Sequence, residues 1–316
     1  MVVSIPTPVD TFIVKHTLVK HAHEQIGRVH QMCHLPNNKK GVLIYGKSGE
    51  GKTYIAECYA AQYPPVKEVD HIRLPIFTYR FQEAKSKVDD ILRLLITELG
   101  VQPPIGKVAA GELDKQFRFL IKARGVELII LDEIQQVFPA KQGKIALDML
   151  KYFCALLDTL TCSIVFIGSE RAMRLLTFGE VDKTVDDNEQ LSRRMLRSVK
   201  LHRILPRTQE WVDCINSFLQ QISAPQIGIE DKELLDRLYV AYMERSFSTL
   251  DGLFMREDMS HIKDRHTLMM RLKANFYIYS QNVNNPFDES EYSYRAIDAA
   301  VTHEYQKLKR ELKTCL

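Results

Sequence analysis

The chain has 316 residues, of which 45% are hydrophobic and 26% charged, with a formal net charge of +3. Such a length carries one large domain or a core domain with a smaller companion, and such a composition builds a core without disulfide staples. The near-balanced charge excludes nucleic-acid binding driven by overall charge, so any such contact must come from local basic clusters.

The cysteines at 33, 58, 154, 162, 214 and 315 form no C-x-x-C pair, and read as reduced thiols of a cytosolic protein. "MVVSIPTPVDTFIVK" lacks the basic-then-apolar order of a signal peptide, and no run reaches the roughly 18 apolar residues that span a bilayer. The expectation is a soluble cytoplasmic protein with no membrane contact.

Residues 10–34 read as helix, and "PNNKK" breaks the chain before a first strand at "GVLIY". Four further apolar runs follow at α/β spacing: "IRLPIFTY", "VELIILD", "SIVFIGS" and "SVKLHRIL". Helical patterns such as "SKVDDILRLLITELG" and "IALDMLKYFCALLDTL" lie between them. In the first of these, Val88, Ile91, Leu92, Leu95 and Leu99 make one apolar stripe. Strands that are apolar throughout, alternating with amphipathic helices, predict a parallel sheet sandwiched between helices. After Pro206 only helical periodicity continues, in "TQEWVDCINSFLQQI", "DKELLDRLYVAYMER", "DRHTLMMRLKANFYIYS" and "YRAIDAAVTHEYQKLKREL". The predicted organisation is an N-terminal helical segment (1–35), an α/β core (36–205), a smaller all-helical domain (206–285) and a C-terminal helix (286–316). The main boundary falls near Leu205–Arg207.

Gly46-Lys47-Ser48-Gly49-Glu50-Gly51-Lys52-Thr53 fits G-x-x-x-x-G-K-[ST] and lies between a predicted strand and a predicted helix; these residues and Tyr54 are the expected nucleotide-binding positions. Glycines let consecutive N–H groups turn inward as an anion nest at a helix N-terminus. Lys52 reaches the outer phosphates of a nucleoside triphosphate, and the Thr53 hydroxyl is placed for Mg²⁺. A metal-facing carboxylate should then sit at the carboxyl end of a buried strand. "LIILDEIQQ" supplies Asp132 for the Mg²⁺ and Glu133 as general base for an attacking water; the competing reading is a surface Asp-Glu that caps the next helix. A phosphotransferase must keep water from the terminal phosphate, so Glu133 favours hydrolysis. Ser169, ending "SIVFIGS", is placed to touch both the terminal phosphate and the water, or else caps the following helix. Arg193 and Arg194 in "NEQLSRRMLRSV" are either a solvated basic face or guanidiniums offered to a neighbour's terminal phosphate.

The order "GKSGEGKT", "LIILDEIQQ", "IVFIGSE" and "QLSRRM", followed by a helical domain, resembles AAA+ ATPases. The "DEIQQ" segment, "SIVFIGSERAM" and the "QL-x-x-R" element leading to "ILPRTQEW" narrow the resemblance to the TnsC/TniB family of transposition regulators, over about residues 40–215. The resemblance implies an ATP- and Mg²⁺-dependent protein that forms rings or helical filaments on double-stranded DNA and links a target-selecting protein to a transposase. It makes Lys52 and Thr53 the phosphate and metal contacts, Asp132 and Glu133 the Walker B pair, and Ser169 the first sensor. Arg194, with Arg193 as alternate, becomes the finger acting in trans. Ser169 stands where such sensors often have Asn, and "FSTLDGLFMRED" has no arginine at the place of a second sensor.

DNA contact is expected from loops facing a shared axis, with Arg80, Lys85 and Lys87 in "YRFQEAKSK" and Lys141 and Lys144 in "PAKQGK" tracking phosphates without reading bases. His30 and His34 lie one helical turn apart, yet no further ligand at usual spacing completes a zinc set, so these histidines read as structural. The alternatives are a helicase loader of the same superfamily, a small-molecule kinase, and a module that holds ATP without turnover.

Overall fold

The computed structural model describes residues 17–35, 41–69, 72–84, 87–106, 108, 110–137, 144–177, 188–254, 259 and 262–314. In chain order the elements are α1 (Thr17–Gln31), β1 (Gly41–Tyr45), α2 (Lys52–Ala61), β2 (Val66–Lys67), β3 (Ile72–Arg73), β4 (Ile76–Arg80), α3 (Val88–Glu98), α4 (Ala110–Ala123) and β5 (Leu128–Asp132). There follow α5 (Lys144–Thr159), β6 (Ser163–Gly168), α6 (Arg174–Thr177), α7 (Asn188–Arg194) and β7 (Val199–Lys200). The last five are α8 (Gln209–Gln221), α9 (Lys232–Arg245), α10 (Phe247–Phe254), α11 (Arg265–Tyr279) and α12 (Tyr294–Thr314).

These residues form two compact units. One comprises His21–Lys47 and Lys52–Leu201; the other comprises 17–20, Ser48–Gly51 and 202–314. In the first, five parallel strands lie in the order β4-β5-β6-β1-β7. β5 and β6 are buried along their whole length because both faces are covered by helices, as their unbroken apolar runs require. Leu92 and Leu95 of α3, Leu113 and Phe117 of α4, Phe153 of α5 and Phe166 of β6 share the core. α1 is tied to this unit by Ser163 Oγ, which donates to Val29 O at 2.7 Å, and by His30, whose ring meets Tyr59 Oη at 3.0 Å and Glu127 Oε2 at 3.2 Å.

The second unit is helical. Trp211, Tyr239 and Tyr242 interlock at its centre, and Trp211 Nε1 donates to Leu235 O at 3.1 Å. Arg207 forks onto Asp236 and Asp298, which joins α12 to the other helices as part of their core rather than as a separate tail. Phe247 N donates to Gly49 O at 3.1 Å, and a Cβ on Gly49 would overlap Arg245 O.

The structure departs from the sequence reading in four places. "IRLPIFTY" is two strands, because Leu74 and Pro75 turn aside: Ile72–Arg73 pairs with β2 in a small antiparallel ribbon, and Ile76–Arg80 enters the main sheet. "SVKLHRIL" supplies only Val199–Lys200 as strand. Leu201 N still donates to Tyr45 O at 2.7 Å, whereas Ile204 N is bonded by Tyr242 Oη, so the units divide between Leu201 and His202 and not at Leu205–Arg207. α4 and α10 were not anticipated. Residues 10–16 of the predicted first helix lie outside the described residues.

Candidate functional site

Parallel pairing brings the carboxyl ends of all five strands to one edge: Arg80 is in register with Asp132, and Tyr45 with both Gly168 and Lys200. Ligands of open parallel sheets bind beyond this edge, where side chains and loop amides from several strands converge.

The glycine-rich loop leaves β1 with Gly46 N donating to Gly168 O at 3.3 Å. Gly49 and Gly51 hold φ of +83° and +78°, a region that costs a side-chain-bearing residue but not glycine. Lys52 opens α2 and is buried, its ammonium folded back to donate to Lys47 O at 2.5 Å. Thr53 Oγ1 donates to Asp132 Oδ2 at 2.7 Å. The two residues assigned to Mg²⁺ from sequence, 79 positions apart, are therefore in direct contact. Tyr54 points along α2 toward Cys58, whose thiol is pushed up chiefly by burial.

Asp132 is buried at the end of β5, and its second oxygen accepts the Glu133 N–H at 2.8 Å. Glu133 sits in the left-handed region, φ +56° and ψ +38°, uncommon for a non-glycine residue and a place where strain often marks function. It turns the chain off the strand and leaves its half-buried carboxylate at the sheet edge. Glu133 Oε2 accepts from Gln135 Nε2, and Glu133 Oε1 lies 3.9 Å from Arg80 Nη2. Arg80 Nε also lies 3.8 Å from Asp132 Oδ2. Asp132 and Glu133 do not act as a helix cap: the short turn after them has no side-chain cap bond.

Ser169 ends β6. Its side chain makes no capping bond either, and its buried hydroxyl is without a partner among the described residues, while its N–H donates to Gln135 Oε1 at 2.9 Å. A buried unpartnered hydroxyl is costly unless a ligand uses it. The donor set fits a magnesium triphosphate: an ammonium held at the Lys47 carbonyl, a hydroxyl and a carboxylate as hard oxygen ligands, and an orphaned hydroxyl on the same sheet edge.

Other assignments separate from this cluster. Arg194 is held by its own chain: Nε and Nη2 donate to Asp158 Oδ1 and Oδ2 at 2.5 and 2.6 Å, and these bonds raise its already high pKa. It is thus clamped to α5 rather than presented outward, whereas Arg193 is exposed. Arg80 lies on a strand end beside two carboxylates, not on a loop. Lys87 is exposed at the start of α3; Lys85, Lys141 and the side chain of Lys144 lie outside the described residues. His30 is consumed by Tyr59 and Glu127, and among the described residues no group of three or more His, Cys, Asp or Glu could hold a metal. Cys33, Cys58, Cys154, Cys162 and Cys214 are buried and form no disulfide with one another. No helix among the described residues is long and apolar enough to cross a membrane. Sequence reasoning missed Arg80 and Gln135 as neighbours of Glu133; "DEIQQ" contains the signal for Gln135, since the residue two beyond a turn-forming Glu can fold back on it.

The sequence matches the family profile described as "Bacterial TniB protein" over residues 10–203, more than half of the chain. The chain belongs to the TniB family. No curated protein matches it. Among solved structures, it is 12% identical to Cdc6p from Pyrobaculum aerophilum, covering 88% of this chain and 64% of that one, with a TM-score of 0.52. For the Aeropyrum pernix ORC2 protein in ADPNP–ADP complexes the figures are 14%, 88%, 72% and 0.52. The A. pernix ORC1 protein in complex with DNA gives 16%, 80%, 63% and 0.49. The TniB chain spans less than two thirds of the ORC1 and Cdc6p chains. At such identity the likeness to Cdc6p and ORC2 speaks for the fold alone: a parallel sheet with helices on its faces and further helices after it.

Proposed function

We propose that this TniB-family chain is an ATPase that assembles with further copies of itself on double-stranded DNA and regulates transposition, linking a target-selecting protein to a transposase. Hydrolysis of ATP to ADP and phosphate controls the assembly. The observation that carries the enzymatic part is the Thr53–Asp132 contact beside Glu133, on the same sheet edge as the Ser169 hydroxyl that has no partner among the described residues.

The loop amides from Gly46 to Thr53 and the Lys52 ammonium bind the phosphates, with Lys52 leaving the Lys47 carbonyl to do so. Thr53 and Asp132 would hold Mg²⁺, which when bound neutralises charge on the phosphate oxygens. Glu133 accepts the proton of the attacking water, and the Ser169 hydroxyl orients that water against the terminal phosphate. A kinase must instead keep water from the terminal phosphate and turn its base on an acceptor hydroxyl. Arg193, exposed on α7, is offered to a neighbouring copy's terminal phosphate; Arg194 contributes only on leaving Asp158. This makes turnover depend on assembly. Lys85, Lys87, Lys141 and Lys144 track DNA phosphates, while Arg80 is reassigned to the carboxylate pair.

Electron microscopy with duplex DNA and a slowly hydrolysed ATP analogue tests the assembly. Rings or filaments that need both are expected; a monomer that ignores both overturns it. Capture of a replicative helicase in place of a transposase would move the chain to the helicase-loader reading.

A further inference from the structure

Gln135 occupies the only ground shared by the Walker B turn and the end of β6 among the hydrogen bonds described above. Its amide donates through Nε2 to Glu133 Oε2 and accepts through Oε1 from Ser169 N at 2.9 Å. Only one orientation of the amide satisfies both partners: reversed, it would set oxygen against a carboxylate and N–H against N–H. The seat is tight. A Cβ on Gly168 would overlap Gln135 Oε1 and come within 2.7 Å of Ala172 Cβ and 3.1 Å of Ile134 Cγ2, so β6 must end in glycine to admit this side chain. Gly168 is also the residue whose carbonyl receives Gly46 N–H at the start of the phosphate loop.

A continuous path therefore runs from the loop (Gly46) through Gly168 and Ser169 to Gln135 and on to Glu133. Its middle member, Ser169, carries the buried hydroxyl that lacks a partner. Glu133 needs external orientation because its backbone is in the left-handed region and its carboxylate is only half-buried, so packing alone does not fix its aim. Among the described residues the other oxygen has only the distant guanidinium of Arg80 at 3.9 Å, and that side chain is 60% exposed.

We propose that Gln135 is a positioning residue for the hydrolytic base: it aims the Glu133 carboxylate and ties that aim to the main chain at Ser169, so that engagement of the Ser169 hydroxyl is passed to the base. This rests on the ATPase reading above. Gln135 itself touches neither nucleotide nor water.

The test uses the full chain with duplex DNA and measures ATP turnover and analogue binding for Gln135→Glu, Gln135→Met and Glu133→Gln, and for each Gln135 change combined with Glu133→Gln. Gln135→Glu is isosteric and keeps an acceptor for Ser169 N–H but sets a second carboxylate against Glu133; Gln135→Met keeps length and loses both bonds. Misaiming a reacting group by an ångström costs up to about 100-fold, so each change is expected to lower kcat about tenfold or more. KM and analogue affinity should stay within about twofold, because no substrate-binding group is removed. With Glu133→Gln in place, either Gln135 change should have no further effect, since no base remains to be aimed. Native turnover in Gln135→Glu beside an inactive Glu133→Gln overturns the positioning role and leaves the ATPase reading standing. So does a further loss from Gln135→Met on top of Glu133→Gln. Native turnover in Glu133→Gln removes the ATPase reading and this role with it.

Discussion

Replacing Thr53 by Val keeps the shape of the side chain and deletes one hydroxyl. That hydroxyl is the donor to Asp132 Oδ2 at 2.7 Å, on a carboxylate that is 5% exposed. A hydrogen bond to a charged group contributes about 1.5–3 kcal/mol. Asp132 keeps the Glu133 N–H at 2.8 Å on its other oxygen and the guanidinium of Arg80 at 3.8 Å, the latter too exposed to contribute more than about 1 kcal/mol. The loss should therefore fall in the lower half of that range, about 1.5–2 kcal/mol. For a unit of this size that is a drop in Tm of about 3–8 °C. Thermal and urea unfolding without nucleotide read the first effect. The second is read by repeating them with ATP and Mg²⁺, where a ligand at a hundred times its Kd adds about 2.7 kcal/mol to the native protein. Thr53→Val should lose most of the part of that gain that requires the metal. A variant as stable as the native chain, with an undiminished metal-dependent gain, would refute the assignment of Thr53 and Asp132 to one site.

Arg80→Ala should leave Tm nearly unchanged, because an exposed ion pair contributes little, yet change ATP turnover several-fold by freeing one side of the Glu133 carboxylate. Weaker DNA binding with unaltered turnover would return Arg80 to the DNA contacts. Arg193→Ala should reduce DNA-stimulated turnover more than Arg194→Ala, since the Arg194 fork is spent on Asp158; the reverse order would show that this clamp opens on assembly. The second unit should lose stability in acid. Its Asp288 carboxyl is held well below the usual range by Lys273, Asp298 by Lys232, Glu289 by the Tyr294 N–H and Arg237, and Asp264 by the Thr267 N–H. Carboxyls depressed in the folded state stabilise it above the unfolded value of about 4 and cease to as pH falls through their folded values. Urea midpoints at pH 7 and pH 3 should show this, with a smaller difference in Asp288→Asn; equal differences would deny Asp288 a share.

The phosphate loop was legible because its chemistry is contiguous: glycines, Lys52 and Thr53 act through local backbone geometry. β5 and β6 were equally plain, since strands buried on both faces are apolar without interruption. What could not be read depends on partners distant in sequence. Nothing local shows that Arg194 forks onto a carboxylate of α5. Arg80 reads as a basic loop residue until strand register sets it beside Asp132. Pro75 hides the break between β3 and β4 because both pieces are apolar. α4 escaped notice because its apolar positions, Leu113, Phe117, Leu120 and Ile121, are interspersed with charges and follow a loop rich in proline and glycine.

In the proposed mechanism Glu133 draws the proton from a water attacking a triphosphate held by the loop at Lys52. Phosphate release by Glu133→Gln in the presence of duplex DNA and saturating magnesium ATP, with ATP binding measured on the same sample, addresses it most directly. Native-like binding is expected, with turnover reduced about 100-fold or more, as befits removal of a general base. Binding and turnover both at native levels would contradict it.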